Sequence, residues 1–475
     1  MISFSATPIL PFLVEAANRA AAAYATTEAI TDYTQALELL KASSDTDMTL
    51  ARQVYEGLGK ALSMRGDIPG VLQTYQTLDG RPLRELFIHC RSGIDDEEFA
   101  GFQAACPPGI KLVGIRVATE RGVRLFRRDT DQPGQLRIKT YRRGGLIPLS
   151  DAVPVLENFG FRVLEEMPTA VGRGALGYIH DFLLELPPGT DTDAILARAD
   201  KIEAALCCVL GGASENDEFN QLSLLAGLDM KPVVWLRAWF RYLRQTGSSF
   251  GLVTVVDALR RAPRATAALV GLFSALHDPA AGRRREADAE RLRRQFDDAL
   301  SAVRSIDDDR ILRRLRSLVE AILRTNAFSQ KSDEALAFKI DSARVPGLPR
   351  PVPWREIWVY SPRVEGVHLR GGPVARGGLR WSDRRDDFRT EILGLMKAQV
   401  VKNAVIVPTG AKGGFYPKQL PPASERDAWF AEGAEAYRTF IRSLLSVTDN
   451  IVNDRVVHPD GVVIRDDEDP YFVVA

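Results

Sequence analysis

Residues 366–418 read GVHLRGGPVARGGLRWSDRRDDFRTEILGLMKAQVVKNAVIVPTGAKGGFYPK and are dense in glycine and in cationic side chains. The pattern predicts a helix over 386–402. Four of its side chains share one face at spacings of three, four and three: Ile392, Leu395, Gln399 and Lys402. An apolar stripe therefore ends in an amide and an ammonium, and an ammonium that is even partly buried needs an anionic partner.

The predicted helix leads into a strand, AVIVP, at 404–408, and then into a glycine-rich turn at 409–414. The small residues of that turn would let a ligand approach the backbone beside Lys412. Arg376, Lys402 and Lys412 would thus be gathered near glycine loops, which suits a small molecule with more than one carboxylate. Crowded by the other two cations, Lys412 would serve as an acid or base near neutral pH. The alternative for an isolated AKGG is a glycine-rich loop with an exposed lysine.

A second glycine motif, VGRGALG at 171–177, has the G-x-G-x-x-G spacing of a dinucleotide-binding loop. That function requires a helix to start after the glycines, whereas the following YIHDFLLEL alternates and predicts a strand. A hairpin loop is therefore favoured over a nucleotide site. The five histidines and four cysteines lack the spacing of metal ligands, so no metal site is predicted.

The composition is that of an ordinary globular chain of 475 residues, 45% hydrophobic and 26% charged, and the length indicates about three domains. Lysine plus arginine and aspartate plus glutamate each total 62, so the net charge is zero and no global field concentrates polyanions. We expect no nucleic-acid partner. The opening apolar run is broken by Pro8 and Pro11, and no segment has membrane-spanning length. We therefore expect a cytoplasmic protein with no membrane partner.

The changing periodicity predicts four segments. They are a helical N-terminal segment at 1–80, an α+β module at 81–190, a helical module at 191–345, and a further domain at 346–475, entered through a proline-rich stretch. In the α+β module, LFIHC, KLVGIRV, LRIKTYR, FRVLEEM and YIHDFLLEL predict strands, and Ser150 and Gly160 are predicted to cap a helix. In the helical module, DRILRRLRSLVEAILR at 309–324 predicts one helix with a continuous apolar stripe. Its members are Ile311, Leu312, Leu315, Leu318, Val319, Ile322 and Leu323.

At ARGGLRW, LMKAQVVKNA and VPTGAKGG, in this order and close together, the sequence resembles the substrate-binding half of glutamate dehydrogenases. The whole run from RVEGVHLRGG to TGAKGGF is similar to the long bacterial NAD-specific class. Upstream, LIPLSDAVPVLENFGFRVLEEMP and YIHDFLLEL resemble the last ACT-like regulatory module of that class. The stretches FNQLSLLAGL, RYLRQTG and DDDRILRR resemble its helical segment. The resemblance covers most of the chain from about residue 130 onward, and residues 1–80 carry little of it.

The resemblance implies a multidomain α+β fold. Its parts would be an ACT-like α+β module in the second half of 81–190, a helical module, and the first part of the α/β glutamate dehydrogenase substrate domain. It also implies NAD-dependent oxidative deamination of L-glutamate to 2-oxoglutarate and ammonium, an amino-acid effector for the ACT-like module, and a homo-oligomer.

The resemblance also assigns roles to five residues. Arg376 and Gly377 would lie near a substrate carboxylate, and Gln399 and Lys402 would bind on the side of the α-carboxylate. Lys412 matches the catalytic lysine that polarises the carbonyl and activates water. Arg376 departs from the smaller enzymes, which have lysine there, and arginine binds a carboxylate as a planar fork rather than as a point charge.

The family's proton-shuttling aspartate is expected shortly after the strand PYFVVA at 470–475, and the NAD-binding domain after that. We therefore expect a chain incomplete at both ends, with NAD bound by a domain outside it and no dehydrogenase activity of its own. Asp466, Asp467 and Asp469 precede the strand and are expected in a solvated loop. Two alternatives remain open: a catalytically dead amino-acid-binding or assembly protein, and a nucleotide-binding protein that uses VGRGALG.

Overall fold

In a computed structural model of the chain, the described residues are 10–22, 25–42, 48–65, 121–128, 131–142, 145–171, 177–402 and 409–472. They divide into two units. The first comprises 1–157 and 161–211, and the second comprises 158–160 and 212–475. The fold is mixed α+β, as the sequence predicts.

The first unit opens with helices wherever apolar residues recur at helical spacing. These are α1 (Leu10–Ala22), α2 (Thr26–Ala42) and α3 (Met48–Arg65). Their shared core includes the four residues that mark the apolar face of α2: Ile30, Tyr33, Leu37 and Leu40. The cluster buries apolar surface of all three helices, which is what stabilises helices of this length in water.

A four-stranded antiparallel sheet follows in the same unit, with strand order β1-β2-β4-β3. The strands are β1 (Arg121–Phe126), β2 (Gln135–Arg142), β3 (Arg162–Val171) and β4 (Gly177–Glu185). The helices are α4 (Leu149–Asn158) between β2 and β3, then α5 (Thr192–Leu196) and α6 (Ala199–Leu210). Helix α6 contacts β1 and buries Ile202, Leu206 and Val209.

The strand predictions for LRIKTYR, FRVLEEM and YIHDFLLEL are confirmed, and those for LFIHC and KLVGIRV lie outside the described residues. Val171 pairs with Gly177 at one end of the antiparallel β3–β4 ladder, so β4 starts where a nucleotide site needs a helix. Gly160 follows α4 with a φ of 96°, as the predicted cap requires. The prediction for Ser150 is wrong, because α4 begins one residue earlier, at Leu149.

The second unit begins with helices packed around aromatic rings. They are α7 (Gln221–Leu225), α8 (Met230–Gln245), α9 (Leu252–Arg261), α10 (Pro263–His277), α11 (Arg285–Ser301) and α12 (Ile306–Ala321). Phe273 meets the rings of Trp235 and Trp239 edge-on at 4.8 and 5.0 Å, a favourable aromatic geometry. Short 3₁₀ turns lie at Glu218–Asn220, Pro279–Arg284, Gln330–Asp333 and Ser342–Arg344.

All seven apolar residues predicted for 309–324 are buried, but α12 ends at Ala321. From Ile322 the chain forms a strand that pairs with residues 338–340. The predicted helix is therefore too long by one turn. Apolar residues suit a buried strand as well as a buried helix, and the sheet partner decides between them.

A six-stranded sheet forms the centre of the second unit, in the order β5-β6-β7-β8-β10-β9. Its strands are β5 (Ile322–Thr325), β6 (Leu336–Ile340), β7 (Arg355–Tyr360), β8 (Val364–Arg370), β9 (Leu379–Trp381) and β10 (Ala411–Pro417). Neighbouring strands are antiparallel except β10 and β9. The sheet thus includes two strands, β5 and β6, from residues that the sequence assigns to the helical module.

Helices α13 (Phe388–Lys402) and α14 (Arg426–Leu445) pack against this sheet. Ile357, Val359 and Phe415 pack with Phe440 and Leu444 of α14. The alternate strand residues, among them Trp358, Val367 and Leu369, pack with Phe388 and Ile392 of α13. All seven residues of β8 are buried, as expected for a strand covered on both faces.

A small hairpin follows α14, formed by β11 (Asn450–Val452) and β12 (Arg455–Val457). Its turn residues, Asn453 and Asp454, have φ values of 50° and 58°. Asparagine and aspartate tolerate this left-handed conformation best among residues with side chains.

Six buried charged side chains, here called the ionic cluster, join the sheet to residues 449–469. They are Arg324, Lys339, Arg370, Asp449, Asp466 and Asp469, and none of the six side chains is more than 9% exposed. Arg324 lies 2.6 Å from Asp449 and 2.5 Å from Asp466. Lys339 lies 2.7 Å from Asp466 and 2.9 Å from Asp469. Arg370 lies 2.6 Å from Asp469. Three cations therefore face three carboxylates.

The prediction that Asp466 and Asp469 lie in a solvated loop is wrong, because both are members of the ionic cluster. Asp467 does have an exposed side chain, but its carbonyl oxygen accepts a hydrogen bond from Arg324 at 2.8 Å. Residues 466–469 are polar, which is why the sequence predicts exposure. The side chains of Asp466 and Asp469 are buried because cations that are distant in sequence neutralise their carboxylates.

Asp449 should make the second unit sensitive to acid. Burial disfavours its charged form, but hydrogen bonds from Arg324, the backbone N–H of Asp469 and His458 lower the pKa of Asp449 from 3.8 to about 2. A lowered carboxyl pKa stabilises the fold above the unfolded pKa, and this contribution is lost as the pH falls through the folded value. The shift corresponds to about 2 kcal/mol, lost between about pH 4 and pH 2.

We expect Asp449→Asn to lower the free energy of unfolding at pH 7 by about 2 kcal/mol or more and to flatten its decline below pH 4. Urea unfolding followed by tryptophan fluorescence measures this, because all six tryptophans lie in the second unit. The control is Asp307→Asn, whose side chain is 60% exposed, with an expected change below about 0.5 kcal/mol. Equal losses in the two variants would contradict the prediction.

Candidate functional site

Residues 371–378, here called the glycine loop, connect β8 to β9 and lie beside the start of β10. The backbone N–H of Gly371 donates to the carbonyl of Gly410 at 2.9 Å, and the N–H of Ala411 donates to that of Arg376 at 2.9 Å. Arg376 and Gly410 form a parallel bridge. These bonds hold the backbone of the loop one residue away from Lys412.

Gly377 cannot carry a side chain in this arrangement. A Cβ there would lie 1.4 Å from the carbonyl oxygen of Ala411 and 3.1 Å from Oε1 of Gln399. A Cβ at Gly410 would lie 3.3 Å from the same amide oxygen. The amide of Gln399 therefore sits against two backbone positions that only glycine allows to come so close.

Helix α13 positions Gln399. Its Nε2 donates to the carbonyl of Arg376 at 2.7 Å, while its buried Oε1 has no hydrogen-bond partner among the described residues. The helix is predicted at 386–402 and observed at 388–402, but the predicted face is wrong at Leu395, which is 36% exposed. Met396, 2% exposed, takes that place, because the buried stripe runs at spacings of four and three from Ile392.

Lys412 lies in a strand rather than in the predicted turn. It is the second residue of β10 and pairs with Leu369 of β8, so the predicted turn at 409–414 is wrong from Ala411 onward. Two residues later, a Cβ at Gly414 would lie 2.3 Å from Ile392 of α13. Because alternate residues of a strand share a face, the half-buried Lys412 also faces α13.

Among the described residues, two cations at this site lack a carboxylate partner. Neither the exposed guanidinium of Arg376 nor the ammonium of Lys412 forms an ion pair with any residue in the described ranges. By contrast, four arginines that are close to Arg376 in sequence each pair with a carboxylate. The pairs are Arg370–Asp469, Arg380–Glu391, Arg384–Asp387 and Arg389–Glu356. The glycine loop and β10 thus present positive charge that no described carboxylate neutralises.

Lys402 can be placed only by its backbone. It is the last residue of α13, three positions after Gln399, and its side chain lies outside the described part of the chain. The predicted strand at 404–408 lies outside it as well. The structure thus brings Arg376, Gly377 and Gln399 together with the start of β10, and it puts the backbone of Lys402 one helical turn away.

Sequence reasoning does not single out two side chains that hold the glycine loop. Arg370 donates from Nη2 to the carbonyl of Pro373, and Thr409 donates from its hydroxyl to the carbonyl of Val374. A cation at the end of a buried strand is the only sequence signal for Arg370, and Thr409 carries none.

His368 lies close in sequence but takes no part in the candidate site. It is fully buried opposite Gly413, on the sheet face that does not carry Lys412. Burial, and then the charge of Arg370, lower its pKa to about 3. The ring is therefore neutral at physiological pH, and the aromatic ring of Phe472 lies 4.9 Å from it.

Within the described ranges, no three histidine, cysteine, aspartate or glutamate side chains come together in a way that could hold a metal ion. The helices described here include none with the length and apolar character needed to cross a membrane.

Three family models match the chain in order. They are the glutamate dehydrogenase ACT3 domain at 114–195, the glutamate dehydrogenase helical motif 3 at 214–279, and the bacterial NAD-glutamate dehydrogenase catalytic domain at 295–475. The glycine loop, α13 and β10 all fall in the catalytic-domain match.

Curated relatives agree with these matches. NAD-specific glutamate dehydrogenase of Halomonas elongata is 47% identical over 357 residues, which are 74% of this chain and 22% of that protein. The enzyme of the same name from Pseudomonas aeruginosa is 46% identical over 72% of this chain and 22% of its own length. That of Mycobacterium tuberculosis is 43% identical over 79% of this chain and 24% of its own length. The chain therefore spans about a quarter or less of these relatives, and it belongs to the bacterial NAD-glutamate dehydrogenase family.

Proposed function

We propose that this chain supplies the substrate-binding side of an NAD-dependent oxidative deamination of L-glutamate to 2-oxoglutarate and ammonium. The observation that carries the proposal is the pair of cations, Arg376 and Lys412, which have no carboxylate partner among the described residues and lie beside a glycine-lined backbone. A ligand with two carboxylates and a reactive carbon between the cations would supply the missing negative charge.

Arg376 is proposed to hold one substrate carboxylate with its planar fork of donors. Gly377, without a Cβ, lets the loop lie against the carbonyl of Ala411 and the amide of Gln399, and it is proposed to lie near the same substrate carboxylate. One N–H of Gln399 donates to the carbonyl of Arg376, so its second N–H remains to donate to the α-carboxylate of the substrate. Lys402 is proposed to bind on that same side.

Lys412 is proposed as the catalytic lysine. Loss of a hydride from Cα of glutamate leaves an imine, water adds to that carbon, and ammonium departs. Neutral Lys412 would take a proton from the attacking water, and charged Lys412 would donate a hydrogen bond to the oxygen that becomes the carbonyl. The balance is L-glutamate, NAD⁺ and water giving 2-oxoglutarate, ammonium, NADH and a proton.

NAD supplies the acceptor for the hydride when it is bound. The G-x-G-x-x-G spacing at 172–177 does not fit a dinucleotide, because β4 and not a helix starts at Gly177. The glycine loop packs against β10 and does not precede a helix N-terminus either. We therefore assign no residue of this chain to NAD and expect another domain to bind it.

The proposal also covers features that the family resemblance implies for the rest of the chain. We propose an amino-acid effector for the four-stranded sheet of the first unit, a homo-oligomeric assembly, and a cytoplasmic location. Titration of single amino acids and the mass of the assembled protein in solution test the first two.

We expect Lys412→Ala to weaken 2-oxoglutarate binding at least about tenfold, because a charge-assisted contact contributes more than about 1.4 kcal/mol. Isothermal calorimetry on the chain measures the affinity. NAD-linked oxidation of L-glutamate by the polypeptide isolated from its own cells, with the same substitution made in the gene, measures turnover.

The control is Lys397→Ala, which replaces an exposed lysine of helix α13, and we expect its affinity to equal that of the wild type. No binding to the folded wild-type chain, or equal effects of the two substitutions, would refute the proposal. Binding that depends on Lys412, without turnover by the isolated polypeptide, would instead indicate an amino-acid-binding or assembly protein.

We expect Gly377→Ala to abolish 2-oxoglutarate binding and to lower the free energy of unfolding by about 1–3 kcal/mol, because the added Cβ overlaps the carbonyl of Ala411. The matched control is Gly394→Ala in α13, where a Cβ meets no atom within 4 Å. Alanine favours the helix there by up to about 1 kcal/mol, so binding should be retained. A Gly377→Ala variant that binds 2-oxoglutarate and is as stable as the wild type would contradict the loop geometry.

We expect no binding when NAD is titrated into this chain at millimolar concentration, with calorimetry as the measurement. Binding that is lost on Gly174→Ala would support a nucleotide-binding function for VGRGALG and would overturn our assignment of NAD to another domain.

A further inference from the structure

The glycine loop begins at a buried arginine that forms polar contacts on two sides. Arg370 is 4% exposed and ends β8. Its Nη1 donates to Oδ2 of Asp469 at 2.6 Å, and its Nη2 donates to the carbonyl of Pro373 inside the loop. The rings of Trp354 and Tyr471 lie 5.0 and 5.9 Å from the guanidinium carbon. One side chain therefore links residues 466–469 to the first turn of the glycine loop.

Asp469 is itself fixed on several sides. Its backbone N–H donates to Oδ2 of Asp449 at 2.7 Å, and Lys339 of β6 lies 2.9 Å from its carboxylate. Burial opposes its charge, but the hydrogen bonds from Arg370 and Lys339 lower the pKa of Asp469, so it remains a carboxylate at neutral pH. Asp449 also binds Arg324 of β5. The carboxylate that orients Arg370 is thus held by Lys339, and Arg324 has no direct contact with it.

Three side-chain hydrogen bonds hold the backbone of the glycine loop. Side chains donate to three of its carbonyl groups: Arg370 to Pro373, Thr409 to Val374, and Gln399 to Arg376. The hydrogen bond from Arg370 is the first of these. It holds Pro373, which lies three residues before Arg376, the cation that we assign to a substrate carboxylate. The guanidinium of Arg370 can bond a carboxylate and a carbonyl through two different nitrogens in a fixed plane, which a lysine ammonium cannot do.

We propose that Arg370, oriented by Asp469, is a positioning residue for substrate binding: it holds the glycine loop so that Arg376 meets the substrate carboxylate. This inference rests on the proposed function and deepens it. Arg370 does not contact substrate, and its effect passes through the backbone of residues 373–376. A misplacement of a binding group by about 1 Å is enough to weaken a designed contact substantially.

The decisive variant is Arg370→Lys, with Arg324→Lys as its matched control. Both arginines belong to the ionic cluster and both are buried, but Arg324 makes no hydrogen bond to the glycine loop. We expect similar losses of stability in urea for the two variants. We expect 2-oxoglutarate affinity to fall about tenfold in Arg370→Lys only, and to stay within about twofold of the wild type in Arg324→Lys.

A second measurement needs no ligand. Amide hydrogen exchange of the peptide that covers 371–378 should be faster in Arg370→Lys and unchanged in Arg324→Lys. Equal changes of exchange and affinity in both variants would show that the cluster acts through stability alone and would overturn the inference. Unchanged exchange and affinity in Arg370→Lys would overturn it as well.

If the proposed function itself is wrong, the expected result differs from that of a wrong positioning role. In that case the folded wild-type chain does not bind 2-oxoglutarate at all, and the role of Arg370 in substrate binding falls with it, whatever the exchange rates. Wild-type binding with no difference between the two arginine variants refutes the positioning role and leaves the proposed function intact.

Discussion

The ionic cluster is the interaction on which the second unit depends. Its six side chains are almost completely removed from water, and removal of one partner from such a cluster leaves an uncompensated buried charge. Because the cations lie on β5, β6 and β8 while the carboxylates lie at 449–469, the cluster joins segments that are distant in sequence. It also fixes the point at which β8 passes into the glycine loop.

The same sheet carries charge in two different ways. On the side of Arg370, every cation of the ionic cluster is matched by a carboxylate. Lys412, on the other face, and Arg376, in the loop, have no matching carboxylate among the described residues. Two cations without a carboxylate partner among the described residues, next to a backbone contact that excludes a Cβ, are the features on which we base the proposed anion site. The contrast between matched and unmatched cations carries the proposed function more directly than any single motif does.

The helix at 388–402, the strands β2, β3 and β4, and the buried stripe of α12 follow from local periodicity, which is why the sequence predicts them. Errors appear where an apolar or glycine-rich stretch can adopt more than one structure. Residues 322–325 continue a helical pattern but form β5, and residues 411–414 resemble a turn but form β10. In both cases hydrogen bonds to a strand remote in sequence decide the outcome.

The sequence by itself determined the kinds of residue at the site and their order along the chain: Arg376 and Gly377 before the helix, Gln399 and Lys402 near its end, and Lys412 beyond it. The spacing of side chains on one helix and the dense run of glycines and cationic residues are sufficient to predict these residues and their order. Only the tertiary structure decided that Asp466 and Asp469 are buried, and that Arg370 holds the loop. Their partners lie 142 and 99 residues away, and pairing over such distances depends on how the strands are ordered in the sheet, which local patterns do not encode.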